Sequence, residues 1–335
     1  MLLRKKWLLA ILASFLIGTP PTFPAEIQPF YTQNQSPLVQ IFGLPFIGNP
    51  RVLPKGKGDV RLTVDLANTY IQDSNPKESI LLDGESTRIT VDARYGILTG
   101  FEVGIAVPYI IQGGGFLDDF LIDYHNAFGF PQGGREQAPR NRLLYQYQKG
   151  RQSLLNVNQS GNGIGDLQLN GGYQLYESPS KPSRAVALRS SLKLPTGDSD
   201  GLRGSGSTDV ALWLVAGDDY GFSRGRIGVF GAAGIMGMTE GNVLPDQQRN
   251  AVGFGALGIG WSPLRWLTLK VQANAHTSFY KQSDLRELNL SSVQLTMGGT
   301  LAFTEKISLD LGVTEDVVVN TSPDVVFHVS LMGRF

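Results

Sequence analysis

The sequence predicts an all-β protein: a transmembrane antiparallel β-barrel of about 12 strands, with an N-terminal plug or tail. Three observations predict this fold. Many segments alternate apolar with polar or small residues, as a strand does when one face is apolar and the other is wet. These segments run for about 10 to 14 residues, the length that a tilted strand needs to cross a bilayer. The links between them are alternately long and short.

The order of these links is typical of an outer-membrane barrel. Links after even-numbered strands have two to seven residues, whereas links after odd-numbered strands are longer and polar. Outer-membrane barrels have long extracellular loops and short periplasmic turns, with both chain ends in the periplasm. A soluble β-sandwich also alternates but has no reason to follow this rule. The predicted strands are residues 59–70, 86–97, 100–111, 163–176, 184–195, 207–217, 225–238, 250–262, 266–278, 289–303, 306–315 and 324–335.

Residues 1–25 predict a secretory signal peptide. A basic head, Arg4–Lys6, precedes the apolar run Trp7–Ile17. This run is shorter than the roughly 20 residues that a membrane-spanning helix needs. Residues 18–24 contain helix-breaking glycine and prolines, and we expect cleavage after Ala25.

Composition excludes several function classes. The 29 basic residues equal the 29 acidic ones, so the chain lacks the basic footprint of a nucleic-acid-binding protein. The chain has no cysteine. Disulfides, thiolate nucleophiles and cysteine-ligated metal centres are therefore excluded. We expect no cofactor and no nucleic-acid partner.

Catalytic residues are scarce, and we predict that the protein is not an enzyme. Asn274, His276 and Ser278 share one face of a predicted strand. They superficially resemble the Ser, His and Asn of outer-membrane phospholipases. In those enzymes the triad faces lipid, whereas the alternation in this strand directs these residues into the lumen.

Residues 26–57 precede the first strand and form a separate segment, so the barrel itself is residues 58–335. Apolar groups fall on both faces of this segment, which makes it a poor lipid-facing strand. The residues concerned are Leu38, Val39, Ile41, Phe42 and Leu44. We expect a plug inside the lumen, and the alternative is a periplasmic tail packed against the turns.

The longest link, residues 112–162, predicts a short amphipathic helix that lies over the barrel mouth or folds into it. Its apolar residues recur at helical spacing. They are Leu117, Phe120, Leu121, Tyr124 and Phe128. The candidate loop site consists of Asp118, Asp119, Asp123 and His125. These carboxylates could bind a hard cation, but their spacing does not match an EF-hand, and a solvated helix face is the favoured interpretation.

Alternation also predicts which side chains line the lumen. The candidate lumen-lining residues are Arg61, Asp65, Arg88, Asp92, Arg94, Glu102, Arg189, Lys193, Lys270 and Asp310. Their mixed charges either neutralise one another in a filled lumen or line a narrow water path. Eight-stranded barrels are filled and barrels of sixteen or more strands are open, so a twelve-stranded barrel leaves both possibilities.

Several stretches resemble known outer-membrane proteins. The last strand alternates up to a terminal Phe335, as in the strand that the bacterial barrel-assembly machinery reads. Three other stretches are similar to a family of uncharacterised Gram-negative outer-membrane proteins. They are residues 34–45, residues 113–135 and the LKLPTGD motif at residues 192–198. The resemblance implies a β-barrel in the cell outer membrane, with membrane lipid and the assembly machinery as partners, and it implies no activity.

Together these features predict a passive channel or transporter for small polar or amphipathic solutes. The alternative is a non-conducting structural or adhesive barrel that works through its extracellular loops. An open lumen would favour the channel, and a filled lumen would favour the alternative.

Overall fold

The structure, a computed structural model, describes residues 27–129, 134–178, 183–318 and 321–335. The predicted signal peptide lies outside the described residues. The strands are β1 (Gly58–Ser74), β2 (Glu78–Leu98), β3 (Phe101–Gly113), β4 (Leu144–Lys149), β5 (Gln152–Val157), β6 (Gly161–Ile164), β7 (Leu167–Glu177), β8 (Ser183–Leu194), β9 (Asp209–Phe222), β10 (Gly225–Met238), β11 (Ala251–Leu264), β12 (Leu267–His276), β13 (Ser292–Ala302), β14 (Ile307–Asp316) and β15 (Val325–Arg334). The helices are α1 (Asp118–Phe128) and α2 (Arg286–Asn289), with 3₁₀ turns at Arg135–Gln137 and Pro245–Gln247.

Twelve antiparallel strands close into a barrel, which confirms the predicted fold. The order around the wall is β1, β2, β3, β7 and then β8 to β15 in sequence. The last strand returns to β1 and pairs with it from Asp59–Arg334 to Asn68–Val325. Closure leaves the wall without an unpaired edge, which lipid could not satisfy with hydrogen bonds. The end that holds the short turns and the C-terminus is the periplasmic end.

The outer face of the wall is an apolar belt. On β1, Val60 and Leu62 are 43% and 44% exposed, whereas the intervening Arg61 is 9% exposed. The same alternation leaves large apolar residues exposed on the other wall strands, including Val91, Val103, Ile105, Val210, Leu212, Leu257, Ile259, Leu269, Val329 and Leu331. An apolar belt around a polar interior places the barrel in the outer membrane, surrounded by lipid. None of the described helices is both long and apolar enough to cross a membrane.

The wall continues beyond the membrane at β1 and β2, so the prediction of a loop at residues 71–85 was wrong. The two strands remain paired as far as Ser74 and Ser79. Within the long link, β4 pairs with the outer part of β2, and β5 pairs with β4. Burial explains this extension, because its apolar residues are buried in one hydrophobic cluster with Leu38 and Phe42. They include Ile71, Ile80, Leu82, Tyr145 and Tyr147, each at most 2% exposed.

Helix α1 lies against the outer face of the wall. Leu117 and Leu121 pack on Leu66, Val313 and Phe327. These three wall residues occupy the same alternate positions as the exposed belt residues of their strands. The sequence predicted the helix but placed it over or inside the barrel mouth, and that placement was wrong. Helical spacing identifies an apolar stripe without identifying the surface that the stripe covers.

A buried arginine fixes this helix to the wall. Arg135 is 3% exposed and donates a hydrogen bond to Asp118 at 3.0 Å. It also bonds Asn68 on β1 and Asp324, which directly precedes β15. One guanidinium therefore joins the helix to both strands at the closure of the barrel.

Replacing this arginine should release the helix without opening the barrel. Arg135→Ala leaves the buried Asp118 carboxylate without its cation, so the segment over residues 114–143 should detach. Chymotrypsin should then cleave this segment several-fold faster, while the heat-modifiable gel mobility of the folded barrel stays unchanged. Arg140→Ala is the matched control, because its partner Asp119 is exposed and such pairs contribute roughly 0–1 kcal/mol. Equal cleavage of the two variants would contradict this role of Arg135.

Candidate functional site

Residues 27–54, termed the lumen segment, run through the inside of the barrel. The chain turns near Ser36, where the Val39 N–H donates to the Ser36 carbonyl at 2.9 Å. It then returns to the periplasmic end, where β1 begins. The outgoing and returning limbs touch where the rings of Tyr31 and Phe46 stack with centroids 3.7 Å apart. The segment thus follows a hairpin-shaped path with its turn towards the extracellular end.

Extracellular loops enclose this turn in an apolar cluster, termed the apolar cap. Phe42 stacks on Phe279 with ring centroids 4.8 Å apart. The Tyr280 hydroxyl donates to the Leu38 carbonyl at 2.8 Å. Other buried members are Val39, Ile41, Leu44, Ile71, Ile80, Leu82, Tyr145, Tyr147, Leu202, Val243, Leu244, Leu285 and Leu288. The extracellular mouth is therefore covered by apolar packing between the loops and the lumen segment.

Below the cap, the wall holds the lumen segment by hydrogen bonds to its backbone. The guanidinium of Arg189 donates to the Asn49 carbonyl at 2.9 Å, and the Trp213 indole donates to the Ile47 carbonyl at 2.8 Å. Further contacts of this kind join Arg88 to Gln40, Lys193 to Ile41, Asp209 to Gly43, Glu102 to Leu53 and Gln272 to Phe30. The wall also contacts side chains of the segment: the Lys270 ammonium lies 4.0 Å from the centre of the Phe30 ring, and Ile27 and Ile47 cluster with Phe230 and Ala256.

The side chain of Asn34 joins the lumen segment to three separate elements. Its amide nitrogen lies 2.9 Å from Nε2 of His276, 3.3 Å from the Ser292 hydroxyl and 3.0 Å from the Thr321 carbonyl. The other His276 nitrogen contacts a backbone carbonyl. Among the described residues, His276 has no hydrogen bond to Ser278. The residues considered for catalysis therefore form no nucleophile–base pair.

The LKLPTGD motif contributes to a buried ionic cluster. Lys193 is 2% exposed, and its ammonium lies 2.6 Å from Asp166 and 3.3 Å from Asp209. The Gly197 N–H donates to the second Asp166 oxygen at 2.7 Å. Asp209 also accepts a hydrogen bond from the Gly43 N–H at 2.7 Å. The cluster thus ties the lumen segment to the wall at the point where β6 ends and β7 begins.

The candidate lumen-lining residues all lie on the inner face of the wall. They are Arg61, Asp65, Arg88, Asp92, Arg94, Glu102, Arg189, Lys193, Lys270 and Asp310, and all except Arg94 are at most 9% exposed. Most of their charges are paired within the lumen. The pairs include Arg94–Asp92 (2.9 Å), Arg189–Glu102 (2.6 Å) and Lys270–Asp310 (3.1 Å), and the Asp65 carboxylate is hydrogen-bonded to the His328 ring at 2.6 Å. Pairing lets the wall carry many charges with little net charge.

A cavity of about 400 Å³ opens at the periplasmic end. The guanidinium carbons of Arg61 and Arg94 lie 5.0 and 5.6 Å from the centre of the Tyr31 ring. The Tyr31 hydroxyl donates to Asp92 at 2.5 Å, which fixes the ring. Other lining residues include Phe30, Arg51, Glu102, Arg189, Lys306 and Arg334. An aromatic ring flanked by guanidinium groups can contact both polar and aromatic solutes.

The candidate loop site is dispersed. Asp118 is buried against Arg135, whereas Asp119 and Asp123 are exposed. The side chain of His125 lies outside the described part of the chain. Within that described part, no three acidic or histidine side chains converge as metal ligands. The cation-binding interpretation therefore gains no support from the geometry.

Sequence reasoning missed the contribution of the lumen segment to this site. Asn34 and Gly43 both fall within the stretch 34–45 that carries part of the family resemblance. That resemblance was the available signal, but alternation along a single strand cannot identify the partners of a segment that is not a strand.

Removing the ammonium of the buried ionic cluster should destabilise the barrel. Lys193→Met leaves Asp166 and Asp209 buried without a cation, which should lower the free energy of unfolding by about 3–5 kcal/mol. Denaturant unfolding in detergent measures the change. Lys77→Met is the control, because that side chain is 80% exposed and its ion pair contributes roughly 0–1 kcal/mol. A loss at Lys193 no larger than in the control would contradict the structural role of the cluster.

Comparison with known proteins supports the fold and identifies a family. The COG4313 outer membrane channel from Pseudomonas putida F1 aligns with a TM-score of 0.54 and 13% identity, over 86% of this chain and 98% of that chain. The NanC porin aligns at 0.39 and 9% identity, covering 82% and 98% of the two chains. The CymD monoaromatic hydrocarbon channel aligns at 0.35 and 13% identity, covering 96% and 98%. No curated protein matches the chain.

The first of these alignments shows a shared barrel fold. A family model described as "Protein of unknown function (DUF3187)" matches residues 20–335. This match confirms the resemblance to an uncharacterised outer-membrane family. The chain belongs to the DUF3187 family of proteins of unknown function.

Proposed function

We propose that the protein is a passive, gated channel for small polar or amphipathic solutes, in which the lumen segment is the plug and the gate. The observation that carries this proposal is the way the segment is held. Inside the barrel, polar side chains of the wall form hydrogen bonds to its backbone. Most of its apolar anchoring is at the turn, and a smaller cluster of Ile27, Ile47, Phe230 and Ala256 lies below the turn. Water can replace hydrogen bonds of this kind when the segment moves.

The wall behind the segment is suited to contact with water. Its charges are largely neutralised by pairs such as Arg94–Asp92 and Arg189–Glu102, which remain when the segment leaves. Displacement would therefore uncover a polar surface of low net charge instead of isolated buried charges. Such a surface supports a path for polar solutes.

Several buried polar atoms of the segment and the wall have no protein partner in the described part of the chain. Both amide ends of Gln33 and of Gln40, and the Thr32 hydroxyl, have no hydrogen-bond partner among the described residues. On the wall, Arg88 Nε and the Thr90 hydroxyl also have no hydrogen-bond partner among the described residues. Water can satisfy such atoms wherever the segment lies, so their burial does not oppose its displacement.

The periplasmic cavity supports the proposed class of solute. It combines the rings of Phe30 and Tyr31 with the cationic groups of Arg61 and Arg94. A solute with an apolar body and a polar or anionic group would find a partner for each part. The proposal does not include catalysis, since His276 is bonded to Asn34 within the lumen.

A non-conducting barrel is the second candidate, and the apolar cap favours it. The cap closes the extracellular mouth with large side chains such as Phe42, Phe279 and Tyr280, all buried. In this alternative the loops that form the cap would carry out the structural or adhesive role.

We also propose that the assembly machinery recognises the last strand, whose terminal Phe335 is 60% exposed.

A disulfide lock at the turn of the lumen segment tests the gate. The chain lacks cysteine, so an introduced pair can bond only with itself. A Cβ atom at Gly43 would lie 3.1 Å from the Asp209 Cβ, which a small shift brings into the disulfide range of about 3.5–4.5 Å. In planar bilayers, Gly43→Cys with Asp209→Cys should show discrete conductance steps when reduced and none when oxidised. The oxidised and reduced states of one variant are compared. Because both states lack the Asp209 carboxylate, its loss cannot account for a difference between them.

A second lock near the base of the segment is the matched control. A Cβ atom at Gly217 would lie 3.4 Å from the Pro50 Cβ. Pro50→Cys with Gly217→Cys leaves the turn free, so conductance should persist in the oxidised state. Equal conductance of the first pair in both redox states would reject the gate. Silence of every variant and state, with the barrel shown to be folded by heat-modifiable mobility, would favour the non-conducting barrel.

A further inference from the structure

Two aromatic side chains at the start of helix α1 are more than half exposed beside the wall. Phe116 is 71% exposed and Phe120 is 51% exposed. Phe116 lies two residues before the helix and Phe120 lies in its first turn, so the two exposed rings belong to one short segment, termed the aromatic stripe. Leu117 and Leu121 form the adjacent buried stripe against the wall. The result is a continuous apolar sector that is only half covered.

An acidic stripe borders the aromatic one on its other side. Asp119 and Asp123 are both exposed, and they are again four residues apart. Successive residues of a helix are 100° apart around its axis. The order around the helix is therefore the leucine stripe, the aromatic stripe and then the acidic stripe. The exposed surface is therefore apolar on the side nearer the leucines and charged on the other side.

The aromatic stripe is continuous with the apolar belt of the wall. The ring centroid of Phe120 lies 6.1 Å from that of Phe327. Two and four residues further along β15, Val329 and Leu331 are 42% and 44% exposed in the belt. A membrane-spanning strand has about 9–11 residues, and Phe327 is eight residues before the chain end at the periplasmic rim. The stripe is therefore level with the extracellular edge of the belt.

The position of the stripe is fixed by hydrogen bonds to the wall. Glu85 on β2 accepts hydrogen bonds from the N–H groups of Phe116 and Leu117 at 2.9 and 2.5 Å. The Asp118 carboxylate on the next residue is bonded to the buried Arg135. These contacts hold the start of the helix from two sides, so the two rings keep one direction relative to the wall.

We propose that α1 is an interfacial lipid anchor, with Phe116 and Phe120 inserted among the acyl chains of the outer leaflet. Asp119 and Asp123 then face the aqueous side. Lipid is the occupant because the stripe is continuous with a surface that lipid already covers, at the level where the bilayer ends. An amphipathic helix at an interface has this division into an apolar and a charged side. The proposal is independent of whether the lumen conducts.

Spin-label accessibility tests the anchor in the full-length barrel. Single variants Phe120→Cys and Asp119→Cys carry a nitroxide in liposomes of phosphatidylcholine and phosphatidylglycerol. Oxygen concentrates in the acyl region, whereas a neutral nickel chelate stays in water. We expect the label at position 120 to collide several-fold more with oxygen than with the chelate, and the label at position 119 to show the reverse order.

Two positions calibrate this measurement. Leu331→Cys reports the lipid belt, and Leu154→Cys reports the extracellular strand β5, where Leu154 is 41% exposed. Phe116→Cys is a second probe of the stripe if labelling at position 120 disturbs the helix. Labels at 116 and 120 that both match Leu154→Cys would overturn the proposal. Dipolar broadening at position 120 that disappears on dilution with unlabelled protein would also overturn it, because a second copy would then cover the stripe.

Discussion

The width of a twelve-stranded barrel is the constraint on which the rest of the structure depends. Wall side chains fill the interior of an eight-stranded barrel, whereas barrels of sixteen or more strands are open. Twelve strands leave room for one more layer, and residues 27–54 occupy that room as a hairpin-shaped chain. The segment is not a strand of the wall, so its N–H and C=O groups must find partners among inward-facing side chains. Arg189, Trp213 and Asp209 supply such partners.

The two ends of the barrel differ as a consequence. At the extracellular end the extension of β1 and β2 and the surrounding loops pack on the turn of the lumen segment. At the periplasmic end the limbs of the segment leave a cavity lined by Tyr31 and by arginines. The apolar barrier therefore lies at the extracellular end and the cavity at the periplasmic end. The apolar cap would have to open before the polar contacts below it exchange with water.

Alternation along single strands was sufficient to predict the wall, and it also assigned charged side chains to the lumen. The strand period determines which residues face the lumen, so Arg61 and Asp310 could be placed without knowing their neighbours. The prediction of a loop at residues 71–85 was wrong because apolar residues there, such as Ile71 and Leu82, are buried by loops distant in sequence. The predicted position of α1 was wrong for a similar reason. Leu117 and Leu121 identify an apolar stripe, but the surface beneath that stripe is formed by β1, β14 and β15. The sequence contains no local signal for contacts of this range.

Native-state hydrogen exchange tests the central claim most directly. If the lumen segment is a gate, amides of residues 36–47 should exchange through a sub-global opening, with a free energy well below that of the wall strands. The paired amides of β1 and β15 should remain protected under the same conditions and serve as the internal reference. Exchange of residues 36–47 that is as slow as that of β1 and β15 would contradict the gate, because the segment would then leave only when the barrel unfolds.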